Sequence, residues 1–426
     1  MTRVLLLASL LVGTACSAQQ QPTPAARADK ATPPDAVAMP QPADAARPVP
    51  RNAPAATIRN VAATTGRANM ADSKPPFTIT TIGTFDAPFA MALLPDGRLL
   101  VTEKAGTLKL RQTDGGITTV GGVPAVEAGG QGGLLDVAVA PDFARSGMVY
   151  LSYAEPGDNG PALALARGKL VSKQVQCVRA PCYPVSSLDD VRVIWRSGSN
   201  GPGGQYGAVI AFAPDGKSLF LTSGERQRFT PAQDPDQALG KIIHLTLDGK
   251  AAPDNPDYAK GGVRAMTWSS GHRNPYGLVF TSDGRLWEEE MGPKGGDELN
   301  LIEPGRNYGW PIVSNGDNYS GQPIPDQPSR PDLAAPALWW NPSISPGGMI
   351  EYTGAMFPAY RGNLLIAGLG SESLIRVTLS GTSATARDQW GMGTRIRDVA
   401  QAPDGAILLL EDGGKGAGGK LMRLAK

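Results

Sequence analysis

The hydrophobic positions of this chain fall into short runs, each announced by a polar turn. Leu94-Pro95-Asp96-Gly97-Arg98 precedes Leu99-Leu100-Val101, and Ala140-Pro141-Asp142-Phe143 leads to Met148-Val149-Tyr150-Leu151. Ala213-Pro214-Asp215-Gly216 opens onto Leu219-Phe220-Leu221, Ser282-Asp283-Gly284 onto Leu286-Trp287, and Ala402-Pro403-Asp404-Gly405 onto Ala406-Ile407-Leu408-Leu409. In the Pro-Asp-Gly turn, Pro sets φ, Asp bonds its own backbone and Gly takes positive φ. The aliphatic and aromatic runs that follow are strand signals, and amphipathic helical spacing is scarce. Turn-and-strand units returning every 45–70 residues or so predict an all-β chain folded as a β-propeller with insertions. About 345 residues follow Phe77, which makes six blades the natural count. Residues 168–193 read as an insertion between strands. The turns themselves carry fold and no chemistry.

The N-terminal region breaks the pattern. Arg3 is followed by a short apolar run over 4–12, too short to span a bilayer, and by Gly13-Thr14-Ala15-Cys16. Residues 1–16 therefore read as an export signal with a lipobox, Cys16 being the lipidation point and lipid anchor. Ordinary cleavage nearby, for example after Ala18, is the alternative. Both readings export the chain, to the periplasm or to an outer-membrane anchor. Residues 17–75 are rich in Ala, Pro and Gln and cannot bury enough apolar surface to offset their ordering entropy. They read as a disordered tether, with the propeller domain over 76–426.

Composition narrows the partners. Forty basic residues balance 39 acidic ones, so nothing suggests nucleic acid. Glycine (53) and proline (38) exceed a fifth of the chain, as a turn-rich fold requires. Cys177 and Cys182 remain after the signal region. An exported chain favours a disulfide between them, and two cysteines with no nearby His make a poor zinc site.

Chemistry concentrates in residues 271–311, GHRNPYGLVFTSDGRLWEEEMGPKGGDELNLIEPGRNYGWP. An Arg suited to gripping carboxylates, carbonyls at a Gly-Pro turn and the Glu298 carboxylate suit an anionic ligand together with a hard cation. This stretch, with Gly130-Gln131-Gly132-Gly133-Leu134-Leu135-Asp136-Val137, Ala232-Gln233-Asp234, Gly240-Lys241 and Arg395-Ile396-Arg397-Asp398-Val399, resembles the soluble quinoprotein sugar dehydrogenases. These form the aldose branch of the glucose/sorbosone dehydrogenase family. The resemblance covers most of the chain from Phe77 to Leu424.

It implies a six-bladed propeller that binds pyrroloquinoline quinone (PQQ) and calcium and oxidises the C1 hydroxyl of an aldose, passing electrons to an unidentified acceptor. It also implies Gln131, Arg273, Asn274, Ser343, Arg395 and Arg397 as cofactor contacts, with Arg273 close to the reactive carbonyls. Gln131 and Gln233 would face substrate. Backbone carbonyls of Gly292 and Pro293 would hold the cofactor's calcium, and Glu298 and Tyr308 a second calcium.

Three positions depart from the family pattern. The catalytic His position holds Gln205, which cannot act as a general base. The cofactor lysine position holds Gly370, and a Gln or His position holds Met291. Glu225 and Asp234 are substitute carboxylates flanking the expected cleft. His244 lies in an apolar strand, and His272 points opposite to Arg273. Trp339 and Trp340 read equally as a sugar wall or as core. Two functions follow: a quinoprotein sugar dehydrogenase with an altered active site, or a non-catalytic calcium-binding propeller. A calcium-dependent lactonase is a third class, against which the Arg pair and the His-Arg-Asn-Pro turn argue.

Overall fold

The computed structural model describes residues 63–64, 75–176, 182–413 and 418–426. Six four-stranded antiparallel blades account for nearly all of them. Blade I is Pro88–Leu93, Leu99–Glu103, Thr107–Arg111 and Ile117–Gly121; blade II is Leu134–Val139, Met148–Glu155, Ala162–Lys173 and Val185–Arg196. Blade III is Gly207–Phe212, Ser218–Ser223, Lys241–Thr246 and Thr267–Ser270; blade IV is Pro275–Phe280, Leu286–Glu290, Asp297–Ile302 and Leu338–Trp340. Blade V is Pro346–Tyr352, Asn363–Gly368, Ser373–Ser380 and Ser383–Gly391. Blade VI joins Ile396–Gln401, Ile407–Glu411 and Gly418–Ala425 to the first long strand of the chain, Thr78–Asp86.

The first strand of each blade lines the centre and touches the first strands of its two neighbours, around a closed ring. The Asp-containing turns, three of them Pro-Asp-Gly, connect first to second strands in five blades and so share one end of the molecule. Blades I and II are fused into one eight-stranded sheet, where Ser186 and Ser187 pair in parallel with Val120 and Gly121.

Sandwiched faces form the core. Phe220 and Ile242 of blade III meet Leu278, Leu286 and Ile302 of blade IV, and Trp287, Leu299 and Trp340 of blade IV meet Ile366 and Ile375 of blade V. Trp340 is therefore core, 1 % exposed. His244 is also internal: its ring nitrogens meet Asn255 and Ser218, and it stacks on Phe220.

One expectation is corrected. Residues 168–193 are no insertion: Ala162–Lys173 and Val185–Arg196 are the paired outer strands of blade II. Within the expected tether, Ala63 and Thr64 pair in parallel with Trp339 and Trp340. Cys182 is disulfide-bonded; its expected partner Cys177, and the expected leader with Cys16, lie outside the described residues.

Candidate active site

Strand direction decides where chemistry can collect. The residues just before each first strand and just after each second strand lie at the end opposite the Pro-Asp-Gly turns. Gln131, Gln205, Arg273, Ser343 and Arg395 occupy the first kind of position, and Lys104, Glu225, Met291, Leu369 and Asp412 the second. Five of the residues carried by the family resemblance thus reach one face from separate stretches of chain.

Contacts link them. Lys104 Nζ donates to the Gly130 carbonyl at 3.0 Å. The Gln131 side chain accepts the Gln205 backbone N–H at 2.6 Å. The Gln205 amide lies between a carboxylate and a guanidinium: in the orientation that satisfies both, its nitrogen donates to Glu225 and its oxygen accepts from Arg273 Nη2 at 2.8 Å. Arg273 Nη1 donates to the Met291 and Gly292 carbonyls at 3.0 and 2.8 Å. The Gly292 N–H in turn donates to Asp297, which also gathers the Ser343 hydroxyl and the Ile344 and Ser345 N–H groups. Arg395 and Arg397 share Asp412. Arg395 sits just outside its strand, so the two meet through this carboxylate and not through strand periodicity alone.

The electrostatics are uneven. Lys104, Arg273, Arg395 and Arg397 gather beside Glu225 and Asp412, while Glu290 and Glu298 line the recess next to Arg273. Burial, and then the neighbouring Arg397, hold Lys104 below its ordinary pKa. Glu225 is 1 % exposed. Burial pushes its carboxyl up, against the pull of Arg273 and the backbone N–H groups of Arg228 and Phe229. Gln205 itself has φ +53°, a left-handed backbone conformation uncommon outside glycine. Arg397 lies over Phe89 and Tyr276, at the mouth of a central cavity of about 180 Å³ lined also by Asp136 and Asp398. Arg273 lies over Trp310, 5.2 Å from its ring centre, with the exposed Tyr319 at 6.0 Å.

Other candidates have structural duties. Ser343 donates its hydroxyl to Asp297. Gln233 is engaged by Asn307 and the Trp310 carbonyl. Asn274 accepts the Gly207 N–H. The Tyr308 hydroxyl donates to the Leu301 carbonyl, and its own carbonyl accepts from Gln327. Glu298 is buried among further carboxylates, Glu288 and Glu290. Asp234 caps its own turn through Asp236 and Gln237. Lys104 and Asp412 escape motif reading. Lys104 and Asp412 follow second strands directly, so blade register is the signal that would have found them.

A family model described as glucose / sorbosone dehydrogenase matches residues 85–423. Aldose sugar dehydrogenase YliI of Escherichia coli (strain K12) is 38% identical over 343 residues, covering 78% of this chain and 88% of the relative. Quinoprotein glucose dehydrogenase B of Acinetobacter calcoaceticus is 26% identical, over 77% of this chain and 83% of its own. The PQQ-bound aldose sugar dehydrogenase structure from Streptomyces coelicolor superposes with a TM-score of 0.63 at 29% identity, covering 83% of this chain and 99% of that one. With its motifs distributed over all the blades that build the cationic face, the chain belongs to the glucose / sorbosone dehydrogenase family.

Proposed function

We propose that this chain is an exported PQQ-dependent aldose dehydrogenase in which Glu225 takes over the proton-accepting role that Gln205 cannot fill. The observation carrying this reading is the Glu225–Gln205–Arg273 line, in which one amide ties a buried carboxylate to the guanidinium beside the cofactor position. The residues present fit PQQ. Four cations, Lys104, Arg273, Arg395 and Arg397, converge on the face, and Arg273 Nε is buried without a partner. Guanidinium forks of this kind suit a compact polycarboxylate.

When bound, PQQ supplies the hydride acceptor. Arg395, Arg397 and Lys104 would hold its carboxylates, and Arg273 its carbonyl edge. The Met291 and Gly292 carbonyls already converge on a positive charge, that of Arg273. With Pro293 they suit the cofactor's calcium, an oxygen-seeking cation. Trp310 and Tyr319 would flank the sugar. Glu225, raised above the ordinary carboxylate range by burial, is a stronger base than a surface Glu, and Gln205 orients it. Export rests on the leader read in residues 1–16.

The test combines PQQ titration with turnover. Full-length protein with calcium should bind PQQ, seen as a shifted quinone spectrum, and oxidise aldoses with an artificial acceptor. Glu225→Gln should keep the spectrum and lose about 10²–10⁴-fold in kcat, the usual weight of a general base. Unchanged kcat would remove Glu225 from the mechanism. PQQ binding without turnover, in the wild type and in Gln205→His alike, would instead make the protein a binding propeller.

A further inference from the structure

Strand Leu286–Glu290 is buried along its whole length although its last three residues are glutamates. Alternation places Leu286, Glu288 and Glu290 on the face toward blade III. Leu286 completes the apolar packing there, and Glu288 and Glu290 follow it toward the cationic end. Register adds Asn300 opposite Glu288 and Glu298 opposite Glu290. His272 closes the cluster from the connection between blades III and IV, its ring stacked on Tyr308 at 4.8 Å.

Hydrogen bonding leaves this cluster unfinished in a directional way. His272 Nε2 meets Ser269 Oγ at 2.8 Å. With Nε2–H donating there, the Nδ1 lone pair is aimed at carboxylate oxygens, 3.5 Å from Glu290 Oε1 and 4.0 Å from Glu288 Oε2. Nδ1 has no hydrogen-bond partner, nor have Glu288 Oε1 and Asn300 Oδ1, and all three residues are 0 % exposed. Glu290 Oε2 is held by the Arg273 and Asn274 N–H groups, leaving Oε1 facing His272. Glu288 Oε2 is held by Asn300 Nδ2 at 3.0 Å. Among the described residues, no Lys or Arg forms an ion pair with Glu288, Glu290 or Glu298. Two buried carboxyls, Glu288 and Glu290, facing an imidazole lone pair without a cation, with Glu298 beside Glu290, form an uncompensated cluster. Potential ligand atoms of His272, Glu288 and Glu290 lie within 4.8 Å of one another, so one ion can reach all three.

We propose that His272 Nδ1, Glu288 and Glu290 bind a first-row divalent transition-metal ion, Mn²⁺ in first place, that staples blade III to blade IV. The ligand set gives the class. Carboxylates suit Mn²⁺, Mg²⁺ or Ca²⁺, and the imidazole nitrogen selects the transition metal among them. The Ser269 contact supplies the outer hydrogen bond that orients a metal-bound histidine. The site uses different atoms from the Gly292–Pro293 carbonyls and the Glu298–Tyr308 pair, and it stands whether or not the chain oxidises sugars.

Chelator-stripped full-length protein would be titrated with MnCl₂ in excess Ca²⁺, following the six-line EPR signal of free Mn²⁺ and the thermal midpoint. One Mn²⁺ per chain should bind, raise the midpoint and show a nitrogen coupling in pulsed EPR. Glu288→Gln should weaken binding by about 100-fold while its metal-free midpoint stays equal or rises, because one buried charge is gone. His272→Gln should abolish the nitrogen coupling. Three results would overturn the proposal: no loss of the free Mn²⁺ signal in wild type; Mn²⁺ binding that Glu288→Gln leaves intact but Glu298→Gln removes; or full displacement by equimolar Ca²⁺.

Discussion

At the scale of single residues, the proposed base Glu225, with an amide at Gln205 beside it, makes a carboxyl proton equilibrium the one that governs the site. A base must be deprotonated to act, and the Glu225 carboxyl is raised by burial. The kcat/KM of the wild type is therefore expected to rise with pH through that raised pKa, above the range of an exposed Glu. Gln205→His should add a second titrating group and shift this limb, while raising turnover if the imidazole lands where Gln205 Nε2 now meets Glu225. A pH–rate profile whose acid limb is the same in Gln205→His and wild type would show that position 205 does not touch the reacting proton. Much of this site is legible in the sequence, because Gln131, Gln205, Arg273, Arg395 and Arg397 stand in motifs dense with glycine and turns. Lys104 is not, since Glu103-Lys104-Ala105-Gly106 looks like any hairpin end. Glu288 and Glu290 are hidden for the opposite reason: a strand with three successive glutamates looks half solvated, and only the packing of blade III against it shows that it is dry.

At the scale of elements, the seam between blades I and II is the most constrained. Gly122 has φ +77°, and a Cβ there would stand 2.3 Å from the Leu188 carbonyl oxygen, on the strand that fuses the two blades. Gly122→Ala should cost about 2–4 kcal/mol, combining backbone strain with an overlap against main chain that cannot move aside. Urea denaturation would measure it, and a loss under about 0.5 kcal/mol would mean the seam relaxes freely. Blade count was recoverable from the turns, but two elements were not. Blade V has no Pro-Asp-Gly turn, because Tyr352 and Asn363 are joined by a longer loop through a 3-10 turn at Pro358–Tyr360. The outer strands of blade II resemble an insertion because their alternation is interrupted by bulges near Asp189 and Val193.

At the scale of the whole molecule, two carboxyls stitch the inner ring. Asp136 accepts the Ile210 N–H, joining blades II and III, and Asp398 accepts the Met91 N–H, joining VI and I. Burial raises both from an ordinary 3.8 to about 7. Each binds its proton more tightly folded than unfolded, so its stabilising contribution is complete below about pH 4 and is lost as pH climbs through about 7. The thermal midpoint should therefore fall between pH 5 and 8, and Asp398→Asn, though less stable overall, should flatten that fall. An equal slope in the variant would remove Asp398 from the balance.

The same ring is shut by a strand from each extremity of the folded region, Thr78 pairing with Ala425 and Asp86 with Gly418. Facing residues of such a ladder stand about 5 Å apart. A few linker residues would thus join the ends of the propeller, and fresh termini could be opened at an exposed tip such as Thr113–Asp114, between the two outer strands of blade I. The order in which ribosomes deliver the blades is then a convention of the gene, and a circularly permuted chain starting inside blade I should rebuild the same face from all six.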